Sequence, residues 1–125
     1  MGLDISHGAW SGGYASFHDF RVTVCRATAG GYDKETHMFL LGEGYSRKKH
    51  PGLFEFIGHS DCDGEISPKM AKKLATELAR ILPELECFGD GPPHIRNQGG
   101  YAGCARKLIA ACRLAAKRGE PLEFN

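Results

Sequence analysis

The amino-acid sequence predicts an α+β protein in which residues 1–125 fold as a single compact domain. Its 125 residues are 42% hydrophobic and 25% charged, a balance that suits one globular core. Two long segments place apolar residues at helical spacing, and short segments near both ends alternate apolar and polar residues as strands do. We therefore expect two main helices, one or two shorter helices and a small β-sheet.

The two main helices are predicted over residues 68–82 and 101–118. In the first, Ser67 is a suitable N-cap, Pro68 suits the first helical position, and Pro83 helps to end the helix. The second carries its apolar residues three to four positions apart and is followed by glycine and proline. Each helix thus has both a periodic apolar stripe and a stop signal.

The shorter elements are less sharply marked. Residues 2–6 alternate and predict a strand, which is followed by a glycine-rich loop. Residues 14–28 fit a helix better than a strand, and residues 38–41 fit either a buried strand or a helical turn. A proline at the first position favours a short helix over residues 51–58. Residues 122–124 predict an edge strand, which the small sheet could join to the N-terminal one.

The composition argues against a membrane protein and against a disulfide-bonded one. No segment approaches the ~18 consecutive apolar residues of a transmembrane helix, and the N-terminus lacks a secretory signal pattern. We therefore expect a cytoplasmic protein without a membrane partner. The five cysteines are odd in number and lack the C-x-x-C spacing of zinc or redox sites, which predicts free and mostly buried thiols.

Charge is distributed unevenly along the chain, although the formal net charge is only +1. Residues 54–90 hold eight acidic and four basic residues, whereas residues 91–119 hold six basic residues and no acidic one. A loop between them and the N-terminal elements carries the basic run Arg47-Lys48-Lys49-His50. This polarity indicates either an anionic partner or ordinary solvated helix faces.

The sharpest chemical pattern lies in residues 59–65. In extended backbone alternate side chains point the same way, which would bring together four potential metal ligands: His59, Asp61, Asp63 and Glu65. Histidine with carboxylates suits a divalent ion such as magnesium, manganese or zinc. The alternative is a structural turn in which the aspartates bond local backbone and His59 is a packed residue. The residues leave both interpretations open.

Two glycine-rich segments form a second candidate site. The segment before the last main helix combines glycines with cationic side chains, which suits an anion at a helix N-terminus. An aromatic pair near the N-terminus could hold a flat base, although core packing is the plainer interpretation. The residues assigned to ligand binding are Trp10, Tyr14, His94, Arg96, Gly99 and Gly100.

Four motifs resemble a group of small, uncharacterised bacteriophage and prophage proteins. They are GLDISH at residues 2–7, GEGYS at 42–46, HPGL at 50–53 and HSDCDGEISP at 59–68. The resemblance implies no site residues. It implies a context, namely a phage accessory protein that counters a host defence in the host-cell cytoplasm by binding a nucleotide signal or a defence protein.

These observations lead to two main functional hypotheses of different classes. The first is a binding protein that sequesters a small anionic, nucleotide-like ligand or blocks a host protein. The alternative is a metal-dependent phosphoester hydrolase that uses the cluster at residues 59–65. Binding of nucleic acid is favoured less, because the sequence pI is 7.7 and no recognised binding motif is present. Self-association and the presence of any catalysed reaction stay open.

Overall fold

Residues 2–125, which the computed structural model describes, form five helices and six short strands. The helices are α1 (Tyr14–Ala27), α2 (Pro51–Gly58), α3 (Pro68–Glu86), α4 (Pro93–Arg96) and α5 (Gly100–Arg118). The strands are β1 (Gly2–Ile5), β2 (Trp10–Gly13), β3 (Gly31–Asp33), β4 (Met38–Leu40), β5 (Glu65–Ile66) and β6 (Leu122–Glu123). The described strands pair antiparallel as β1–β2, β3–β4 and β5–β6. The α+β class is confirmed.

The two main helices, α3 and α5, make the most extensive contact between elements of the described fold. α3 begins as predicted, because the Ser67 hydroxyl accepts a hydrogen bond from the Met70 N–H at 3.2 Å. It continues through Pro83 to Glu86, beyond the predicted end at residue 82. The fully buried Leu85 explains the extension, since its burial is worth about 1.5–3 kcal/mol and offsets the hydrogen bond that proline removes.

The predicted single small sheet is replaced by three two-stranded sheets, and β1 and β6 do not share one. The two ends of the chain still meet, through residues beside β6. Ile5 forms an isolated bridge with Phe124. Asp4 and Asn125 exchange two backbone hydrogen bonds, with N···O distances of 3.3 and 2.8 Å. This contact connects the β1–β2 hairpin to the segment that also forms β6.

Two hairpins differ from the sequence prediction. A 3₁₀ turn (Ser6–Gly8) reverses the chain after β1, so that the predicted glycine-rich loop contains β2. The reversal places His7 at φ +62°, a left-handed conformation that suits a turn. β4 is a strand, but it is not buried: Met38 and Leu40 are 55% and 48% exposed on the β3–β4 hairpin.

The core lies among α1, α2, α3, α5 and the N-terminal hairpin. The aromatic side chains at its centre are fully buried and include Phe17, Phe20 and Phe56. All five cysteines are free thiols; three are buried and two are exposed. Within residues 2–125, no helix is both long and apolar enough to cross a lipid bilayer.

Candidate functional site

The predicted metal-ligand segment bends instead of running extended. Residues 61–63 form bends, Gly64 has φ +92°, and only Glu65 and Ile66 belong to a strand. The alternation that would have aligned the side chains of His59, Asp61, Asp63 and Glu65 is therefore lost. Across residues 2–125, no three histidine, cysteine or acidic side chains gather in a group that could hold a metal ion.

His59 packs as part of this turn. Its ring stacks on Phe124 with centroids 4.0 Å apart and an interplanar angle of 27°. Its Nδ1 lies 2.8 Å from the Ser60 carbonyl oxygen, and its Nε2 lies 3.1 Å from the Glu65 carbonyl oxygen. His59 is thus a packed residue, as the structural alternative to a metal site expected. The other part of that alternative is not seen: the side chain that bonds local backbone in the turn is Ser60, whose Oγ accepts a hydrogen bond from the Cys62 N–H at 3.3 Å, and not an aspartate.

The aromatic pair near the N-terminus does not form an open cradle. Trp10 is only 2% exposed and packs against Phe17 and Phe20, with ring centroids 5.2 and 5.7 Å away. Tyr14 is partly buried against the same core. These positions match the core-packing interpretation, so a flat base cannot stack on the Trp10 face without displacing core side chains.

The predicted anion site before α5 is brought together only in part. The exposed His94 lies against Gly12, with its ring centroid 6.3 Å from that of Trp10. Arg96 is exposed at the end of the single-turn helix α4.

The start of α5 is crowded by an acidic residue. Gly99 and Gly100 have φ +95° and +78°, and a Cβ on Gly100 would lie 3.2 Å from the Asp90 Oδ1. A carboxylate beside this helix N-terminus competes with any bound anion.

The structure instead gathers basic residues in a groove of about 560 Å³ between α3 and the start of α2. We call it the basic groove. Two of its side chains come from the loop before α2, and four come from one face of α3. The basic residues that line it are Lys48, Lys49, Lys69, Lys72, Lys73 and Arg80.

The spacing of these residues explains their convergence. On α3 the four bases fall at positions i, i+3, i+4 and i+11, which place them along one side of a helix. The apolar stripe of α3 faces the core with Leu74 and Leu78, so the basic stripe faces outward. Thr76 lies between the bases and adds a hydroxyl to the lining.

Glu77 is the one acidic residue of the lining, and its carboxylate bonds the backbone of α2. Its side chain is 5% exposed, and its two carboxylate oxygens accept hydrogen bonds from the backbone N–H groups of Gly52 and Leu53 at 3.1 and 2.9 Å. These groups belong to the first turn of α2, where free N–H donors and the helix dipole favour negative charge. Glu77 thus joins α3 to α2.

The cations of the basic groove have no carboxylate in ion-pair contact. Over the described part of the chain, basic and acidic side chains lie within ion-pair distance at His7–Glu120 and Arg106–Glu86, and neither contact lies at the groove. Six cations face a single carboxylate in this lining, and a cleft with such an excess of one sign concentrates its field and attracts counter-ions. The groove is therefore suited to a ligand with several negative charges.

Sequence reasoning missed this groove because it counted charge along the chain. Its four α3 bases are the four basic residues of the stretch 54–90, which appeared acidic as a whole. The helical spacing of the α3 lysines was the signal that could have found it. The basic run of the preceding loop was noted, but nothing in the sequence showed that Lys48 and Lys49 face α3.

Comparison of the chain with protein-family models, with curated proteins and with solved structures gives no match. The resemblance to phage proteins remains a prediction from the four sequence motifs. The chemistry of the basic groove is the observation on which a function has to rest.

Proposed function

We propose that this protein binds a small anionic, nucleotide-like ligand in the basic groove. The observation that carries the proposal is the convergence of six basic side chains without a carboxylate in ion-pair contact. The groove volume of about 560 Å³ falls in the range of small-molecule sites.

The lining indicates how such a ligand is recognised. Five of the six cations are lysines, which contact phosphate as flexible point charges. The lining contains no aromatic side chain that could stack on a base. Affinity should therefore depend on the number of phosphate charges more than on the identity of the base.

A binding protein of this kind fits the context that the phage resemblance implies. Sequestration of an anionic signal in the host cytoplasm needs a charged groove and no catalytic group. Blocking a host protein through an acidic surface would use the same cations and is the second form of the proposal. The hydrolase alternative has less support, because the side chains of residues 59–65 do not gather around a common point.

The test is calorimetric titration with adenosine, AMP, ADP, ATP and pyrophosphate at two salt concentrations. We expect affinity to rise with the number of phosphates, adenosine to bind weakly or not at all, and higher salt to weaken binding. The double variant Lys72→Gln/Lys73→Gln should lose about 1 kcal/mol per charge, which is more than tenfold in affinity.

The matched control is Arg113→Gln/Lys117→Gln, which removes two exposed charges from α5. It should bind the phosphates like the parent protein. Equal affinity for adenosine and ATP, full binding by the Lys72/Lys73 variant, or no saturable binding across the panel would each overturn the proposal. Binding restricted to a single-stranded oligonucleotide would overturn the small-ligand form.

A further inference from the structure

A second pocket, of about 550 Å³, lies between the β3–β4 hairpin and the C-terminal end of α2. Its walls are mainly apolar, and Met38 and Leu40 leave about half of their surface exposed beside it. The pocket differs in this respect from the basic groove. Its apolar lining consists of Met38, Phe39, Leu40, Leu41, Phe54 and Ile57.

A buried guanidinium forms part of the same lining. Arg21 of α1 is 6% exposed, and its Nη1 donates hydrogen bonds to the carbonyl oxygens of residues 56, 57 and 59 at 3.2, 3.2 and 2.7 Å. Helix C-terminal carbonyls carry partial negative charge, so these bonds stabilise the cation only in part. In the described structure Arg21 has no carboxylate in ion-pair contact, and its Nε has no hydrogen-bond acceptor.

Two aromatic rings hold the guanidinium in place. Its carbon lies 4.7 Å from the centroid of Phe17 and 4.9 Å from that of Phe39. Burial lowers the pKa of Arg21, while the charge of Asp61 acts in the opposite direction. A buried charge is costly unless it is paired, so this arrangement favours an anionic partner.

One further cation and two histidines complete the pocket. Arg47 lies over the ring of Phe54, with 5.8 Å between its guanidinium carbon and the ring centroid. His37 and His59 also line the pocket, and the lining contains no acidic residue. The formal charges of the lining, those of Arg21 and Arg47, are therefore both positive and lie beside an apolar wall.

We propose that this pocket binds a small amphipathic anion, a carboxylate carried on an apolar or aromatic body. The planar fork of the exposed Arg47 matches a carboxylate, the buried charge of Arg21 favours its binding, and the apolar wall matches the body of the ligand. Arg21 is in place before binding, because its Nη1 bonds and two aromatic contacts hold it. The pocket is a site separate from the basic groove and does not depend on the function proposed for that groove.

The experiment is a titration of the ¹⁵N-labelled protein with phenylacetate, followed by amide chemical shifts. Phenylacetamide is the neutral probe of the same shape. We expect saturable shifts confined to the pocket lining at residues 21, 37–41, 47 and 54–59, with phenylacetamide at least tenfold weaker.

Variants of exposed residues keep the test independent of folding. Arg47→Gln should weaken phenylacetate binding several-fold, and Leu40→Ser should also weaken it by removing part of the apolar wall. Arg96→Gln, an exposed arginine outside the pocket, is the matched control and should bind as the parent does.

Three results would overturn the inference: no saturable shift, equal affinity for phenylacetamide, or shifts centred on residues 69–80. Retained phenylacetate binding in Lys72→Gln/Lys73→Gln, together with lost phosphate binding, would show that the two sites are separate. Loss of phenylacetate binding in that variant would assign the anion to the basic groove and refute the second site.

Discussion

Replacing Glu77 by glutamine should lower stability and raise anion affinity at the same time. The carboxylate accepts two backbone N–H bonds in the first turn of α2. It is also the only acidic group in the lining of the basic groove. One substitution therefore tests both the join between α2 and α3 and the electrostatics of the groove.

The expected loss of stability follows from these two bonds. A hydrogen bond to a charged group contributes about 1.5–3 kcal/mol, and a charge near a helix N-terminus contributes up to about 2 kcal/mol when partly buried. Glutamine keeps one acceptor oxygen but turns an NH₂ group toward the other N–H donor. We therefore expect Glu77→Gln to lower the free energy of unfolding by about 2–4 kcal/mol.

The expected gain in affinity follows from the charge. Removal of one negative charge a few ångströms from a bound phosphate is worth about 1 kcal/mol in water-like surroundings, or about fivefold in affinity. Urea unfolding followed by circular dichroism measures the first effect, and calorimetry with ATP measures the second.

Glu84→Gln is the matched control, because Glu84 is exposed on the same helix and caps nothing. It should change stability by less than about 0.5 kcal/mol. If Glu77→Gln unfolds at the same urea concentration as this control, the two hydrogen bonds from α2 to the Glu77 carboxylate do not stabilise the fold. If the folded variant binds ATP more weakly than the parent, the electrostatic account of the groove is wrong.

Four further predictions concern other parts of the molecule. Gly52→Ala should lower the free energy of unfolding by about 1–3 kcal/mol, because its Cβ would lie 2.5 Å from the Leu74 backbone nitrogen. The control is Gly58→Ala, whose Cβ meets no atom within 4 Å and which should leave stability unchanged. Thermal unfolding compares the two variants. His59→Ala should lower the melting temperature by removing the stack on Phe124. Added magnesium, manganese or zinc should change the melting temperature of neither the parent nor this variant. A metal-dependent rise in the melting temperature of the parent would restore the metal hypothesis. At pH 8 a thiol reagent should modify two of the five cysteines in the native protein and all five after unfolding, since reaction of a third without unfolding would contradict the described burial. Burial raises the pKa of the three buried thiols above the ordinary value of 9.0. Below pH 9 their contribution to stability is complete, and it is lost as the pH rises toward the pKa values of the folded protein. The melting temperature should therefore fall over this pH range. The folded pKa values are about 11 for Cys25, about 11 for Cys104 and about 12 for Cys112.

Four of the five helices were predictable because their signals are local, whereas the single-turn α4 lies in a segment that is recognisable from the sequence only as glycine-rich. The short helix α2 begins at Pro51 and ends at Gly58, as expected, and α5 begins one residue before its predicted start. The predicted end of α3 was wrong. Pro83 is a stop signal visible in the local sequence, whereas the burial of Leu85, which extends the helix, depends on tertiary packing. Helix propensity alone could not show whether the cost of Pro83 or the burial of Leu85 has the larger effect.

The strands were less predictable because their partners are distant or atypical. The sequence of β2, Trp-Ser-Gly-Gly, has no apolar alternation, and β2 forms only because β1 lies opposite in register. β3 and β4 pair on the surface, where exposed Met38 and Leu40 do not follow a core-facing pattern. Such hairpins depend on pairing that a single segment does not encode.

The candidate sites also depend on tertiary structure that local sequence signals do not reveal. The expected convergence of four ligands assumed extended backbone, and the turn at Gly64 removed it. The run Arg47-Lys48-Lys49 appeared as one basic patch, but Arg47 lines the apolar pocket while the two lysines line the basic groove. The direction of side chains in a loop is set by tertiary packing, which the sequence does not display.

The backbone exchange between Asp4 and Asn125 has a consequence for how the chain folds. The two residues lie at nearly opposite ends of the described chain, and closing a loop of that length costs about 4 kcal/mol in its length-dependent part. The α3–α5 contact spans far fewer residues and can form earlier. A fluorescent pair placed at the terminal contact would therefore report completion of folding, while a pair across α3 and α5 would report its onset.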